Sequence, residues 1–166
     1  MFTIRPGVDA DAGFVAEMLA EAANWDPTRA LRSLPEILAI AEFRHYVDGW
    51  PRPDDISMIA EATDGTRIGA AWCRCFAAAD PGYGFIDETT PEVSIGVVEA
   101  WRGRGVGGAL LDALAHAARR RDVAALSLSV EPGNRAMRLY ERHGYVVVID
   151  MGGARTMRLE LGSREG

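Results

Sequence analysis

Residues 93–108 read VSIGVVEAWRGRGVGG, and the rest of the chain is organised around this stretch. Its first part, Val93–Val98, is apolar and β-prone, which predicts a strand. A glycine-rich turn follows, and from Gly107 the segment GGALLDALAHAARRR has helical spacing. A strand, a glycine-rich turn and a helix in this order leave unpaired N–H groups at the helix start, where phosphates and other anions bind.

The composition is that of a globular chain that does not bind nucleic acid. Its 166 residues suffice for one domain, 1–166, with a substantial core. The net charge of −6 gives no support for contacts along a nucleic-acid backbone. Arginines nevertheless cluster at Arg102, Arg104 and 119–121, which favours a small polyphosphate ligand.

Signals for secretion, membrane insertion or metal binding are missing from the sequence. The N-terminus MFTIRPGVDAD is not a signal peptide, and no stretch approaches the roughly 20 apolar residues of a membrane span. Cys73 and Cys75 are too close for an ordinary disulfide, and no second Cys/His pair stands nearby. We therefore expect a cytoplasmic protein with reduced thiols, no metal, and neither nucleic acid nor membrane as partner.

Hydrophobic periodicity predicts an α/β fold with a mixed sheet. The predicted elements are a strand at Phe2–Arg5, a helix at Ala12–Ala23, a helical region at Leu34–Asp48, strands at Ile56–Ala62, Arg67–Phe76 and Val93–Val98, a helix from Gly107, a strand at Ala124–Val130, a helix at Asn134–Arg142, and strands at Tyr145–Asp150 and Arg155–Leu161. The strand at Ala124–Val130 should run parallel to the central one. Gly96, in mid-strand, predicts a bulge. Residues 162–166 are expected to fray.

Three kinds of phosphate site can contain such a turn. A P-loop requires G-x-x-x-x-G-K-[ST], and the chain contains no lysine. Gly103, Gly105 and Gly108 match the G-x-G-x-x-G of dinucleotide-binding folds, but the acidic residue expected about 20 positions later should end the next strand. Asp122 precedes that strand, so the context argues against a dinucleotide site.

The third kind fits best. Residues 102–107, RGRGVG, resemble the acetyl-CoA signature R/Q-x-x-G-x-G/A of the GCN5-related N-acetyltransferases, the GNAT family. The segment SLSVEPGNRAMRLYERHGYVVV is similar to a later part of the family, and IRPGVDADAGFV to its first strand and helix. The resemblance covers nearly the whole chain and implies the GNAT-like acyl-CoA N-acyltransferase fold: one strand, two helices, three strands, a helix, a strand, a helix and two strands.

The resemblance implies a binding site for acetyl-CoA as co-substrate. In the family the central strand and the next parallel strand splay apart around the pantetheine arm, while the glycine-rich turn binds the pyrophosphate. The amides of Val97 and Val98 would face the pantetheine arm, and one near Ile95 or Gly96 would polarise the thioester. The full set of implied cofactor-binding residues is Ile95, Gly96, Val97, Val98, Arg102, Gly103, Arg104, Gly105, Val106, Gly107, Gly108 and Asn134.

The resemblance also implies catalytic roles. Family members commonly use a tyrosine in the short helix after the second splayed strand as the acid for the leaving thiolate, and Tyr140 matches it. Glu92 begins the central strand, where some members carry a base; Asp87 and Glu88 are rivals, and other members have no dedicated base. Plain alternatives are core packing for Tyr140 and an N-cap for Asn134.

We therefore expect an N-acetyltransferase that passes an acetyl group from acetyl-CoA directly to a primary amine of a small molecule or peptide. The acidic loop 80–92 suggests a cationic acceptor such as a polyamine, aminoglycoside, amino acid or peptide N-terminus. The pocket for it could be lined by Trp25, Asp26, His45, Tyr46, Trp50 or Tyr83. A non-catalytic acyl-CoA-binding or sensory module of the same fold stays open as the alternative. Dimers are common among similar proteins, so a homodimer is also considered.

Overall fold

The computed structural model describes residues 1–162, so 163–166, most of the end expected to fray, lie outside the described residues. The strands are β1 (Phe2–Pro6), β2 (Ile56–Ala62), β3 (Arg67–Arg74), β4 (Glu92–Val97), β5 (Ala125–Val130), β6 (Val146–Asp150) and β7 (Arg155–Glu160). The helices are α1 (Ala12–Ala23), α2 (Leu34–Leu38), α3 (Ala41–Arg44), α4 (Val106–Arg120) and α5 (Ala136–Arg142).

The seven strands form one sheet in the order β1-β2-β3-β4-β5-β7-β6. Neighbouring strands are antiparallel except β4 and β5, which are parallel. The mixed sheet with helices confirms the predicted α/β class. The parallel step arises because α4 carries the chain from the end of β4 back to the start of β5.

Side-chain alternation along β3 builds a core on each face of the sheet. Ala70 and Trp72 point to the face covered by α1 and the turn after α3. Ala71 and Cys73 point to the face covered by α4 and α5. Burial on both faces explains why β3 is apolar almost throughout rather than alternating.

The predicted helical region Leu34–Asp48 is instead two short helices. A capping box starts α2, because Ser33 Oγ accepts the Glu36 N–H at 3.3 Å and the Glu36 carboxylate accepts the Ser33 N–H at 2.9 Å. Ile40, between α2 and α3, is extended at φ −91° and ψ 115°, which interrupts the helical hydrogen bonds. Beyond α3 the Tyr46 carbonyl accepts the indole N–H of Trp72 on β3 at 2.9 Å.

Membrane crossing would need a long apolar helix, and none of the helices within residues 1–162 is long and apolar enough. Over the same residues, no three His, Cys, Asp or Glu side chains are arranged to hold a metal ion. Cys73 is buried in β3, Cys75 beyond the strand end is exposed, and both are free thiols.

Candidate active site

The glycine-rich turn leads into a helix start that no side chain caps. Gly105 is the N-cap of α4 at φ +83°, and Gly103 has φ +72°, left-handed conformations that glycine adopts without steric cost. In the described part of the chain, the N–H groups of Val106, Gly107 and Gly108 donate to no protein acceptor. Three adjacent free N–H groups at the positive end of a 15-residue helix fit a pyrophosphate.

Gly107 and Gly108 also let α5 pack against the start of α4. A Cβ at Gly107 would stand 3.1 Å from Leu139 Cδ2, and one at Gly108 would stand 3.0 Å from His143 Nε2. A Cβ at Gly105 would have nothing within 4 Å. Helix packing thus requires Gly107 and Gly108, whereas backbone conformation requires Gly105.

The two arginines of the turn differ in their surroundings. The Arg102 guanidinium pairs with Glu21 of α1 at 2.5 Å and donates to the Val97 carbonyl at 3.1 Å. Arg102 therefore ties the turn to α1, and its contribution of charge near the phosphates stays a prediction. The Arg104 guanidinium carbon lies 5.1 Å from the centroid of the Trp101 ring, with no carboxylate partner within residues 1–162.

β4 and β5 pair only near their first residues. Glu92 stands opposite Ser127, whose N–H donates to the Pro91 carbonyl at 3.0 Å. No other β4–β5 pair forms among the described residues, so the strands diverge toward their C-terminal ends. This divergence is the splay that the family resemblance implies, and we call it the β4–β5 gap.

The direction of the hydrogen bonds decides which β4 amides face the gap. The Val98 N–H donates to the Ile68 carbonyl at 2.9 Å and continues the regular β3–β4 register. Because alternate residues of an antiparallel ladder bond the same neighbour, the Gly96 and Val98 amides face β3, whereas those of Ile95 and Val97 face the gap. The expectation that the Val98 amide meets the pantetheine arm is therefore wrong, and Ile95, not Gly96, supplies the second gap-facing amide.

Gly96 does not form the predicted bulge. The β3–β4 register runs from Glu92 to Val97 without a shift. A Cβ at Gly96 would lie 2.4 Å from the Met18 carbonyl oxygen. Glycine is needed here because the backbone of α1 packs directly on β4.

Glu92 is a buried carboxylate at the narrow end of the gap, with 3% of its surface exposed. Its Oε1 accepts the Gly84 N–H at 2.7 Å, and its Oε2 accepts the Tyr46 hydroxyl. Burial raises the pKa of Glu92 to about 7, although both hydrogen bonds act to lower it. A carboxyl group with a pKa near neutrality can exchange a proton with a substrate at physiological pH.

The raised pKa of Glu92 should make folding stability depend on pH. The folded-state pKa of about 7 exceeds the ordinary 4.5, so the folded protein binds the Glu92 proton more tightly than the unfolded chain. The contribution of this proton to folding stability is complete below pH 4.5 and is lost as the pH rises through 7. Relative to Glu92→Gln, which does not titrate, we expect the wild-type free energy of unfolding to fall by up to about 3 kcal/mol between pH 4.5 and 8. Urea denaturation of both proteins measures this difference, and parallel pH curves would contradict it.

The rival carboxylates Asp87 and Glu88 serve the loop that precedes β4, and both are exposed. Hydrogen bonds from Thr89 and Thr90 lower the pKa of Asp87. Glu88 accepts a backbone N–H of the same loop at 3.0 Å. Of the three candidate bases, Glu92 is the one buried beside the gap.

Tyr140 lies on the opposite face of the sheet from Glu92. It is 8% exposed and belongs to the core under α4, where its ring centroid lies 6.0 Å from that of Tyr145. Burial raises the pKa of Tyr140 to about 12, so its hydroxyl stays protonated at neutral pH. Core packing and a role as proton donor are compatible with this position.

Asn134 is not the N-cap of α5, which is Arg135, although its side chain bonds to the start of the helix. Its Oδ1 accepts the Ala136 N–H at 3.0 Å where α5 begins. The contact with coenzyme A stays a prediction for this residue.

Sequence reasoning named Tyr83 but missed the two glycines beside it, Gly82 and Gly84, which lie against Glu92 and β5. A Cβ at Gly84 would stand 2.6 Å from the Leu128 carbonyl carbon, and one at Gly82 would stand 2.4 Å from Glu92 Oε1. Two glycines flanking a tyrosine in a turn-rich loop were the available signal.

The six candidates for the acceptor pocket separate into two groups. Tyr46 contacts Glu92 directly, Tyr83 donates its N–H to the Tyr46 hydroxyl, and His45 packs on the Tyr46 ring. The other three lie near α1. Trp25 and Asp26 follow this helix, and Trp25 Nε1 donates to Glu131 at 2.9 Å. Trp50 is buried in the core under α1.

One known family accounts for most of the chain. The sequence profile of the Acetyltransferase (GNAT) family matches residues 17–145. The chain belongs to the GNAT family. The glycine-rich turn, the β4–β5 gap and α5 of this GNAT protein all lie within the matched range.

A longer relative has a recorded acetyltransferase name. The chain is 33% identical over 153 residues to a mycothiol acetyltransferase of Acidimicrobium ferrooxidans, an alignment that covers 87% of this chain and 43% of that protein. The chain thus spans less than half the length of this relative.

Solved structures show the same fold over the whole GNAT domain. YncA of Salmonella typhimurium, solved with its cofactor acetyl-CoA, is 22% identical with a TM-score of 0.70, covering 100% of this chain and 97% of that one. A ribosomal-protein-alanine N-acetyltransferase from Brucella melitensis is 23% identical with a TM-score of 0.69, covering 95% and 99%. These likenesses confirm the predicted GNAT acyltransferase fold, and acetyl-CoA is the cofactor that the family uses.

Proposed function

We propose that this GNAT protein transfers the acetyl group of acetyl-CoA to a primary amine of a small molecule or peptide, by direct attack in a ternary complex. The observation that carries the proposal is the buried Glu92 carboxylate at the narrow end of a gap that the N–H groups of Ile95 and Val97 face. A base at the start of β4, amide donors along it and a phosphate-binding turn after it are the parts that acetylation of an amine requires.

Free backbone donors form the coenzyme A side of the site. The N–H groups of 106–108 bind the pyrophosphate, with Gly103 and Gly105 shaping the turn and Arg104 adding charge. The Val97 amide binds the pantetheine arm. The Ile95 amide donates to the thioester oxygen as negative charge develops there. Acetyl-CoA supplies the acetyl group in activated form.

Glu92 acts as the general base on the amine side. Both of its oxygens already accept one hydrogen bond, and each retains a second lone pair for the amine or for one bridging water. Ser127 Oγ is buried and has no hydrogen-bond partner within residues 1–162, and the alternation along β5 places it on the face that carries Glu92. An amine or water bonded to this hydroxyl would remove the cost of leaving it unsatisfied.

Tyr140 acts as the acid for the leaving thiolate. The new N–C bond replaces the C–S bond, Glu92 takes the proton that the nitrogen loses, and Tyr140 supplies the proton that the sulfur gains. Exchange with solvent resets both groups. Glu92 and Tyr140 lie on opposite faces of the sheet, so the two protons would be exchanged on different sides of it.

A panel of amines tests the proposed function. Polyamines, aminoglycosides, amino acids and a peptide with a free N-terminus are each incubated with acetyl-CoA and the protein. We expect at least one N-acetylated product by mass spectrometry, with one free thiol per product. Tight coenzyme A binding without any acetylated amine would favour a non-catalytic acyl-CoA-binding module.

Gly105→Val is expected to weaken coenzyme A binding at least about tenfold, which is about 1.4 kcal/mol. The left-handed conformation costs an ordinary residue about 1–2 kcal/mol, and the new side chain would obstruct the approach to the helix start. Gly65→Val is the matched control, because Gly65 has φ +84° and open surroundings in the β2–β3 turn. Calorimetric affinities that are equal for the two variants would refute the pyrophosphate assignment.

A further inference from the structure

Tyr46 is buried, with 5% of its surface exposed, and it contacts β3, the loop before β4 and Glu92 itself. Its carbonyl accepts the Trp72 indole N–H of β3 at 2.9 Å, and its ring packs edge-on against Phe76 at 5.0 Å between centroids. Backbone and ring are thus held from different sides. The hydroxyl consequently has a defined position, which points at Glu92.

The Tyr46 hydroxyl joins Glu92 to the preceding loop. The Tyr83 N–H donates to Tyr46 Oη at 2.7 Å, and the Tyr46 hydroxyl in turn donates to Glu92 Oε2. The next residue, Gly84, donates its N–H to Glu92 Oε1 at 2.7 Å. Two successive amides of one loop therefore bind the two members of a Tyr–Glu pair.

We infer that Tyr46 is the positioning residue for the base, holding the Glu92 carboxylate in one orientation and stabilising its ionised form. The inference rests on the proposed function, in which Glu92 takes a proton from the amine. A hydroxyl that donates to a carboxylate favours the charged form, whereas burial favours the neutral form. Without Tyr46, Glu92 would be protonated over more of the physiological pH range.

The residues opposite Glu92 on its two neighbouring strands place no unpaired charge next to its carboxylate. Arg74 stands opposite Glu92 on β3, but its guanidinium makes two hydrogen bonds to Asp55, at 3.0 and 2.7 Å. The residue opposite Glu92 on β5 is the uncharged Ser127. On the same face, α1 contributes apolar side chains to the core that contains Tyr46.

Two titratable groups pack on Tyr46 itself. The His45 ring lies edge-on at 4.7 Å between centroids, and its Nδ1 lies 3.0 Å from Asp80 Oδ1. The Tyr83 ring is stacked at 6.5 Å with its side chain exposed. Neither side chain contacts Glu92, so the Tyr46 hydroxyl is the side-chain donor to this carboxylate within residues 1–162.

Tyr46→Phe separates positioning from packing, because it keeps the ring and removes the donor. In the kcat/KM profile for the best amine, we expect the acidic limb to move up by about one pH unit. The rate at pH 7 should fall about fivefold and recover above pH 9, where the carboxyl is ionised in both proteins. Tyr145→Phe, which removes a buried hydroxyl on the opposite face of the sheet, should follow the wild-type profile. A loss that is equal at every pH would overturn the inference.

A titration that needs no turnover distinguishes this inference from the proposed function. With ¹³C-labelled glutamate carboxyls, Glu92→Gln identifies the Glu92 signal by its disappearance. We expect the Glu92 midpoint to rise in Tyr46→Phe and to stay in place in Tyr145→Phe. An unchanged midpoint in Tyr46→Phe overturns the inference even if amines are acetylated. A raised midpoint supports the effect of Tyr46 on Glu92 even if no amine reacts, in which case the proposed function is what fails.

Discussion

Replacing Glu92 with glutamine is expected to lower kcat/KM for amine acetylation by about 10²- to 10³-fold. Glutamine keeps the shape of the side chain and can still accept the Gly84 N–H, but it cannot take up a proton. Coenzyme A affinity should not change, because the proposed binding groups are the helix start and the gap-facing amides rather than Glu92. Steady-state kinetics and calorimetry measure the two effects separately.

Glu88→Gln is the control for this result. Glu88 belongs to the loop that precedes β4 and is exposed, and a glutamine can still accept its loop N–H. We expect wild-type kinetics from this variant. If Glu92→Gln retained activity within about threefold of the wild type, Glu92 would not be the base, and a water chain to solvent would take its place.

Tyr140→Phe is expected to lower kcat about 10²-fold with little change in coenzyme A affinity or folding stability. The ring contact with Tyr145 is retained, and no hydrogen bond contributes to the pKa shift of Tyr140, so the fold loses little with the hydroxyl. The thiolate, in contrast, loses its proton donor. Rapid-quench measurement of thiol release isolates this step.

Tyr145→Phe is the matched control for Tyr140. Its hydroxyl is also buried, has no hydrogen-bond partner among the described residues, and belongs to the same core. We expect Tyr145→Phe to retain the wild-type rate of thiol release. Equal losses in the two variants would assign the effect to packing, and an unaltered rate in Tyr140→Phe would exclude it as the acid.

Local pattern was enough to place the elements that form the coenzyme A side. The predicted strand Val93–Val98 differs by one residue at each end from β4, Glu92–Val97. The glycine-rich turn follows it directly, because glycine positions report backbone conformation and helix packing without tertiary information. Periodicity did not show the break in the helical region, where Ile40 adopts an extended conformation among residues with apolar spacing.

Contacts between distant residues could not be predicted in this way. The Tyr46–Glu92 hydrogen bond joins residues 46 positions apart, and the Arg102–Glu21 pair joins residues 81 apart. The direction of the β4 amides depends on register, and an error of one residue reverses it, as the Val98 amide shows. The proposed acceptor side depends largely on such contacts, so it is less predictable from sequence than the glycine-rich turn.

Direct transfer from acetyl-CoA to the amine is the central claim. The buried Cys73 is unsuited as a nucleophile, because burial raises the pKa of its thiol to about 12. The decisive measurement incubates the protein with acetyl-CoA labelled in the acetyl group, first without amine and then with it. We predict no label on the protein in the first stage, and one labelled N-acetyl product per released thiol in the second. Label bound covalently to the protein and then passed to the amine would contradict direct transfer.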